Sequence, residues 1–296
     1  MKRLSWIWCI LFGFSLTIMS FSPVQAAVDA DKLLLRQDAD NREELPRNFR
    51  TLPFLSISGS AQFSEKEFQA MATALQGRQV IDVDLRQESH GFVNGIPVSW
   101  YGHRNWGNEG KLTYEVLLLE QAALQKLLSQ GSVTVHKSLK KDKETGHLKD
   151  SEGLLLTPRQ VSTERDMVQR AGWGYYRLAL TDHRRPLNRD VDTFIRFAKQ
   201  LPPGVWLHFH CEAGHGRTTT FMAMYDMMKH AKKDSLETIV SRQAAGGGID
   251  LLAGKETGWQ APYGKERAEF IKQFYRYCRE NQDGFQTTWS QWLDAQ

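Results

Sequence analysis

The most informative stretch of the sequence is His210-Cys211-Glu212-Ala213-Gly214-His215-Gly216-Arg217-Thr218. It lies between the apolar run Val205–His210, which predicts a strand, and Thr218–His230, whose apolar residues recur at helical spacing. Backbone N–H groups in such a turn form a cradle for an anion, and the dipole of the following helix adds positive potential. The glycines permit the tight turn that this cradle needs. The stretch therefore predicts a phosphate-binding loop.

Three side chains of this loop predict phosphoryl transfer. The planar guanidinium of Arg217 can bind two phosphoryl oxygens. The loop amides, the helix N-terminus and Arg217 together favour the thiolate form of Cys211, which would face the bound phosphorus for in-line attack. Thr218 can stabilise the same sulfur as it leaves. We therefore expect a cysteinyl-phosphate intermediate, which splits one difficult step into two.

Two other interpretations of the loop are weaker. Cys211 can be a buried structural residue beside a glycine turn. A metal site can be drawn from His208, His210, Cys211 and His215, because alternate residues of a strand point to one face. The sequence shows no second ligand cluster, however, and Arg217 would repel a cation. We therefore predict neither a metal nor a cofactor.

The leaving group of such a reaction needs a proton, and Asp182 is the predicted donor. It follows the predicted strand Tyr175–Leu180, in a loop that can reach the same sheet edge as Cys211. An aspartic acid has an unperturbed pKa near ~3.9, so burial or a nearby phosphate dianion must keep it protonated. The alternative is a cap of the next helix, which Thr181 or Asn188 can also supply.

The rest of the chain predicts alternating strands and helices. Ser64 and Glu67 form a capping box before a helix, and Gln79–Leu85 alternates as a strand does. Further helices are predicted over 112–129, 163–170, 191–200 and 266–280. We predict a loop over Gly91–Gly110 and a solvated connection over the charged segment Lys137–Glu152. This alternation indicates an α/β layered fold with a mostly parallel sheet.

The N-terminus has the pattern of a secretory signal peptide over residues 1–26. Lys2 and Arg3 precede an apolar run that ends in small residues, as at a cleavage site. An uncleaved membrane anchor is the alternative. We expect cleavage, a periplasmic or secreted protein, and no stable membrane insertion afterwards. Residues 27–47 are predicted to form an extended N-terminal arm.

Composition narrows the class of protein. A chain of 296 residues with 41% hydrophobic residues excludes wholesale disorder, and three cysteines are too few for a disulfide scaffold. The formal charge of +4 is too even to indicate a nucleic-acid partner. Cleavage of the signal peptide would remove Lys2 and Arg3 and lower the formal charge by two. Any strong positive field must therefore be local.

The Cys-x5-Arg-Thr arrangement resembles that of the protein tyrosine phosphatase superfamily. Longer segments are similar to a narrower family, the protein-tyrosine-phosphatase-like inositol polyphosphate phosphatases of bacteria, or cysteine phytases. These segments are residues 48–51, 84–91, 181–183, 206–219, 273–277 and 289–293.

The resemblance implies that Cys211, Arg217 and Asp182 are the nucleophile, the phosphate-binding arginine and the general acid, with Thr218 beside the nucleophile. It implies metal-free, stepwise removal of phosphates from myo-inositol hexakisphosphate and lower inositol polyphosphates. The predicted substrate-binding set is Glu212, Ala213, Gly214, His215, Gly216, His183, Arg50, Lys265 and Tyr263. The implied fold is a three-layer phosphatase domain over residues 48–296, with a central mostly parallel sheet and a small β-rich insertion within about 92–160.

Two other functions remain open at this stage. A secreted protein tyrosine or dual-specificity phosphatase would use the same three catalytic residues on phosphoproteins. A non-catalytic inositol-phosphate-binding protein is disfavoured, because the nucleophile, the arginine and the acid are all present.

Overall fold

The computed structural model describes residues 33–254 and 256–296, so the predicted signal peptide lies outside the described residues. The strands are β1 (Leu34–Gln37), β2 (Arg50–Leu52), β3 (Ile57–Ser60), β4 (Val80–Arg86), β5 (His90–Val93), β6 (Ile96–Tyr101), β7 (Val133–Lys141), β8 (Leu148–Leu156), β9 (Val161–Ser162), β10 (Gly174–Leu180) and β11 (Trp206–His210). The helices are α1 (Glu65–Ala74), α2 (Thr113–Leu128), α3 (Glu164–Arg170), α4 (Asn188–Lys199), α5 (Gly216–His230), α6 (Leu236–Ala245), α7 (Ala261–Glu280) and α8 (Trp289–Asp294). The strands and helices predicted around the phosphate-binding loop are confirmed, with small shifts at their ends.

The central sheet has the strand order β10-β4-β11-β3-β2. Its first four strands run parallel, and β2 pairs antiparallel with β3. The prediction of a mostly parallel central sheet is therefore confirmed. Strand β11 lies in the middle, so Cys211 follows directly at its carboxyl end, the edge at which ligands bind in parallel α/β sheets.

The two faces of this sheet differ in chemistry, because side chains alternate along each strand. One face presents apolar residues to helices α4, α5 and α7; these are Ile57, Val83, Leu85, Leu207 and Phe209. The other face presents fully buried polar residues, Ser58, Ser60, Asp82, Asp84, Arg86, His208 and His210. Helices α1 and α3 cover this second face through a smaller apolar cluster. Helices on both faces give the predicted three layers.

A second sheet has the order β8-β7-β1-β6-β5-β9. Strand β6 lies inside Gly91–Gly110 and β5 overlaps its beginning, so the prediction of a loop there is wrong. Asn94 and Gly95 have φ angles of 53° and 77° and form the tight turn between β5 and β6. An Asn-Gly pair between apolar runs is a strong hairpin signal, since both residues tolerate positive φ. The second sheet thus contains β6, β7 and β8 from within residues 92–160, together with β1 from the N-terminal segment.

The charged segment Lys137–Glu152 is also a hairpin rather than an irregular connection. Strands β7 and β8 pair antiparallel across a turn at Gly146, whose φ is 78°. Strand β8 is the edge of its sheet, and most residues of both strands beyond His136 are exposed or half-buried. Dense charge is therefore compatible with a strand here, and charge on an edge strand discourages pairing with other chains.

Residues Leu34–Gln37, within the segment predicted as an extended arm, form strand β1 in the interior of the second sheet. This strand pairs antiparallel with β6 and parallel with β7. The residues directly after it therefore reach the buried polar face of the central sheet.

No helix within residues 33–254 and 256–296 has the length and apolarity needed to cross a lipid bilayer.

We predict that Phe194→Ala lowers the free energy of unfolding by about 3–5 kcal/mol. Phe194 is fully buried on α4 and packs edge-on against Phe221, with ring centroids 4.8 Å apart. The matched control is Phe54→Ala, since Phe54 is 58% exposed, and its cost should be about 1 kcal/mol or less. Urea unfolding followed by tryptophan fluorescence measures both. Equal losses in the two variants would contradict the placement of Phe194 in the core.

Candidate active site

The loop after β11 places a thiol at the start of helix α5. Cys211 is 3% exposed, and the hydroxyl of Thr218 donates a hydrogen bond to its Sγ at 3.1 Å. Gly214 has a φ of 72°, and a Cβ atom there would lie 2.5 Å from the backbone nitrogen of Ala61. Only glycine fits at that position. The cradle predicted from the sequence therefore has the required backbone shape.

Arg217 is buried beside the loop and is held by a carboxylate that the sequence analysis did not assign. Its two amino groups donate to the two oxygens of Glu88 at 2.7 and 3.0 Å. One of them also donates to the carbonyl of Leu180 at 3.2 Å. The Nε atom has no hydrogen-bond partner among the described residues. The guanidinium is thus fixed in orientation while one donor remains available.

Asp182 lies close enough to Arg217 to form an ion pair. Its Oδ1 is 3.1 Å from Nη2 of Arg217, and its Oδ2 accepts from the amide of Asn105 at 3.0 Å. Burial raises the pKa of Asp182, but Arg217, His183 and the hydrogen bond from Asn105 together outweigh burial and lower the pKa to about 2. Burial alone therefore does not keep this carboxyl protonated. Of the two causes expected from the sequence, burial and a nearby phosphate dianion, only the dianion is left.

A cavity of about 570 Å³ opens above the loop. The predicted site residues that line it are Cys211, Glu212, Ala213, His215, Gly216, Asp182 and His183. The volume is within the range of small-molecule sites. Gly214, Arg217 and Thr218 are not among the lining residues but belong to the loop itself. The structure thus brings the predicted nucleophile and acid to one cavity.

The remaining predicted binding residues lie elsewhere. Arg50 is 6% exposed and donates to the carbonyl of Asn48 and the hydroxyl of Thr219, and burial lowers its pKa to about 10. Lys265 is exposed on α7. Tyr263 packs edge-on against Trp106, with ring centroids 5.6 Å apart. None of the three lines the cavity.

The cavity also has basic residues that the sequence analysis missed. Arg104, Lys141 and Lys143 line it, and none has a carboxylate within 4 Å among the described residues. Arg36 and Arg267 line it too, but they contact Glu212 at 3.0 Å and Glu256 at 2.8 Å, respectively. The three cations without carboxylate partners all come from the second sheet or its connections. The Asn94-Gly95 pair is the sequence signal that indicates a hairpin in this region.

The histidines near the loop do not assemble as the metal alternative requires. His208 is hydrogen-bonded to Ser58 and Ser60, and His215 lies 3.1 Å from the amide of Asn48. Carboxylates and imidazoles do converge on the polar face of the sheet, in the groups Asp82–Glu164–His210 and Asp84–His90–Glu164. Cationic side chains of the protein already contact these carboxylates, since Arg177 lies 3.1 Å from Asp84 and His210 lies 2.7 Å from Glu164.

Comparison with known proteins agrees with this geometry. The family model PTPlike_phytase, described as inositol hexakisphosphate, matches residues 83–229. The chain is similar to the PTP-like myo-inositol phosphatase of Mitsuokella multacida, solved with myo-inositol-(1,3,4,5)-tetrakisphosphate. They share 40% identity at a TM-score of 0.78, over 88% of this chain and 49% of that one. A PTP-like phytase from Bdellovibrio bacteriovorus is 36% identical at a TM-score of 0.73, over 88% of this chain and 94% of that one.

A curated relative is effector protein hopD2 of Pseudomonas syringae pv. tomato, 31% identical over 88% of this chain and 56% of the effector. The chain thus spans about half the length of the effector and of the Mitsuokella protein. The Bdellovibrio phytase, by contrast, is matched over nearly its whole length and has the same fold. The chain therefore belongs to the PTP-like phytase family.

Proposed function

We propose that this protein hydrolyses phosphate monoesters of myo-inositol hexakisphosphate and lower inositol polyphosphates through a cysteinyl-phosphate intermediate. The observation that carries the proposal is the position of Cys211 in the cavity. Its sulfur accepts a hydrogen bond from Thr218, and the same cavity holds Asp182 and three basic side chains without carboxylate partners among the described residues. The predicted signal peptide supports action in the periplasm or outside the cell.

In the first step, a phosphoryl group occupies the cradle formed by the loop amides and the free Nε of Arg217. The sulfur of Cys211 forms a bond to phosphorus while the bond between phosphorus and the inositol oxygen breaks. Asp182 gives its proton to that oxygen. The dianionic phosphate offsets the charge of Arg217, which raises the pKa of Asp182 from its value in the empty site and lets it carry the proton.

In the second step, water attacks the phosphorus and the bond between sulfur and phosphorus breaks. Asp182, now ionised, accepts the proton of the attacking water. The hydroxyl of Thr218 donates to the sulfur as it leaves, which lowers the cost of releasing a thiolate. Inorganic phosphate is released and the site returns to its starting state.

The basic residues from the second sheet support a polyphosphorylated substrate. A substrate with several phosphates presents charge well beyond the single group held in the cradle. Arg104, Lys141 and Lys143 lie around the cavity, where they can meet those further phosphates. The inositol tetrakisphosphate bound to the Mitsuokella relative also favours this substrate class.

We predict that Cys211→Ser abolishes phosphate release from myo-inositol hexakisphosphate, while calorimetry still detects binding of the substrate. A serine hydroxyl is a much weaker nucleophile than a cysteine sulfur, so the covalent step fails while the cradle persists. Cys278→Ala is the matched control, because Cys278 is a second buried, free cysteine, on α7, and it should keep its turnover. Residual turnover in Cys211→Ser similar to that of the control would refute the covalent mechanism.

The phosphate-release assay also distinguishes a phytase from a protein tyrosine phosphatase. The wild type should have a higher kcat/KM for myo-inositol hexakisphosphate than for phosphotyrosyl peptides. A much higher value for the peptides would overturn the proposed substrate while leaving the cysteine chemistry intact.

We predict that Lys141→Met raises KM for myo-inositol hexakisphosphate about tenfold, because a charge-assisted contact to a second phosphate is lost. KM for p-nitrophenyl phosphate, which has one phosphate, should stay within about twofold. Lys140→Met is the matched control, since Lys140 precedes Lys141 on β7, pairs with Asp150 and does not line the cavity. Equal changes in KM for both substrates would contradict a role for Lys141 at a second phosphate.

We predict that the stability difference between wild type and Asp182→Asn depends on pH. The pKa of Asp182 is about 2 in the folded protein and near ~3.9 when unfolded, so its ionised form stabilises the fold above pH ~4 and loses this effect as pH falls. The negative charge of Asp182 should contribute about 2 kcal/mol to the free energy of unfolding at pH 6 and roughly half that at pH 3. Urea unfolding at both pH values measures it. The exposed control, Asp150→Asn, should show little pH dependence, and a constant difference for Asp182→Asn would contradict the ion pair with Arg217.

A further inference from the structure

A buried carboxylate on helix α3 lies behind the nucleophile loop. We propose that Glu164 is a positioning residue that holds the residues on both sides of Cys211 and keeps His210 in its protonated form, and so controls the reactivity of the thiol. This inference rests on the proposed cysteine chemistry. Glu164 is fully buried in the first turn of α3, outside the cavity.

The first contact of Glu164 is with the residue that precedes the nucleophile. Its Oε1 lies 2.7 Å from Nε2 of His210, and both side chains have no exposed surface. The angles are not those of a linear hydrogen bond, so the contact is an ion pair at short range. A carboxylate at this distance requires a proton on Nε2 of His210. Its buried negative charge also favours the cationic ring, which carries a proton on both nitrogens, over the neutral one.

The second contact reaches the residue that follows the nucleophile. The Oε2 of Glu164 accepts from the side-chain amide of Gln62 at 2.6 Å, and the backbone N–H of Gln62 donates to the carbonyl of Glu212 at 3.1 Å. The orientation of that amide is fixed, because its oxygen accepts from Arg86 at 2.6 Å. One carboxylate therefore holds His210 directly and Glu212 through one intermediate side chain.

The charges around His210 make Glu164 its main partner. Asp82 and Asp84 face the imidazole from β4, at 3.6 and 3.9 Å from Nε2. Burial raises the pKa of Asp82 to about 8, and Asp84 is already paired with Arg177. On the same strand, His208 stacks 6.3 Å away, and burial keeps its pKa well below the usual range, so it is neutral.

One further imidazole approaches the far side of Glu164. Nε2 of His90, on β5, lies 3.4 Å from Oε2 of Glu164 and 3.2 Å from Asp84. Burial, the largest single effect, lowers the pKa of His210, but Glu164 and Asp82 together outweigh it and raise the pKa well above the usual range, with Glu164 the larger of the two charges. Loss of the Glu164 charge would therefore release the proton of His210, and the thiolate next to it would lose a neighbouring positive charge.

The test compares Glu164→Gln with wild type in a Cys278→Ala background. The rate of Cys211 alkylation by iodoacetate is measured from pH 4 to pH 9, which follows the thiolate without any phosphatase turnover. We expect the midpoint of this pH profile to rise by about one unit in Glu164→Gln, so alkylation at low pH slows about tenfold. At pH 5, kcat for myo-inositol hexakisphosphate should fall by a similar factor, with KM within about twofold of wild type.

The matched control is Glu67→Gln in the same background. Glu67 is also a fully buried carboxylate in the first turn of a helix. It accepts a hydrogen bond from the backbone N–H of Ser64, the N-cap residue of α1, and does not contact the nucleophile loop. Its alkylation profile should match that of wild type. An unchanged or lowered midpoint in Glu164→Gln would overturn the inference, because loss of the Glu164 charge alone, with His210 still protonated, would favour the thiolate.

A second measurement on the wild type does not depend on how the variant folds. Nitrogen-15 NMR of the histidine rings at pH 7 should show His210 protonated on both nitrogens, and a neutral ring would overturn the inference. Failure of the proposed function has a different signature, since Cys211 would then react with iodoacetate at neutral pH no faster than an ordinary thiol. A reactive wild-type thiol with identical profiles in all variants would refute only the role of Glu164.

Discussion

The architecture depends on a fully buried guanidinium, that of Arg86 at the end of β4. It donates to Asp38 and Glu88, each at 2.9 Å, and to the side-chain oxygen of Gln62. Asp38 follows the strand that the N-terminal segment adds to the second sheet, and Glu88 holds Arg217 at the candidate active site. Removal of one partner from such a set leaves a buried charge, at a cost of about 3–5 kcal/mol. Arg86 therefore ties the second sheet, the central sheet and the phosphate-binding loop into one unit.

The alternation of side chains along the central strands explains why this polar network is tolerated. Apolar residues on one face of the sheet pack against the helices that include α4, α5 and α7. The opposite face can then carry carboxylates, imidazoles and guanidinium groups that pair with one another in a dry environment. These pairs fix side-chain directions close to Cys211, where a small displacement would matter for chemistry.

The sequence predicts the parts of this molecule that depend on local patterns. The phosphate-binding loop and the helices on either side follow from glycine spacing, capping residues and apolar periodicity over short windows. Strand β1 and the partners of Arg217 depend on pairing between distant segments, which periodicity does not encode. Glu164 illustrates the difficulty, since its place in the first turn of a helix does not reveal the imidazole of His210 that the fold brings beside it. Lys141 was missed for the opposite reason, because a charged, exposed hairpin has the composition of a solvated loop.

Arg104, Lys141 and Lys143 reach the cavity from the second sheet and its connections, whereas Cys211, Arg217 and Asp182 belong to the central one. In the proposed function, bond making and the recognition of distant phosphates are therefore encoded in separate stretches of backbone. An edge hairpin tolerates changes in length and sequence far better than a buried loop whose glycine has no room for a methyl group. Substitutions in the hairpin can accordingly change the contacts to distant phosphates while the geometry around Cys211 is kept.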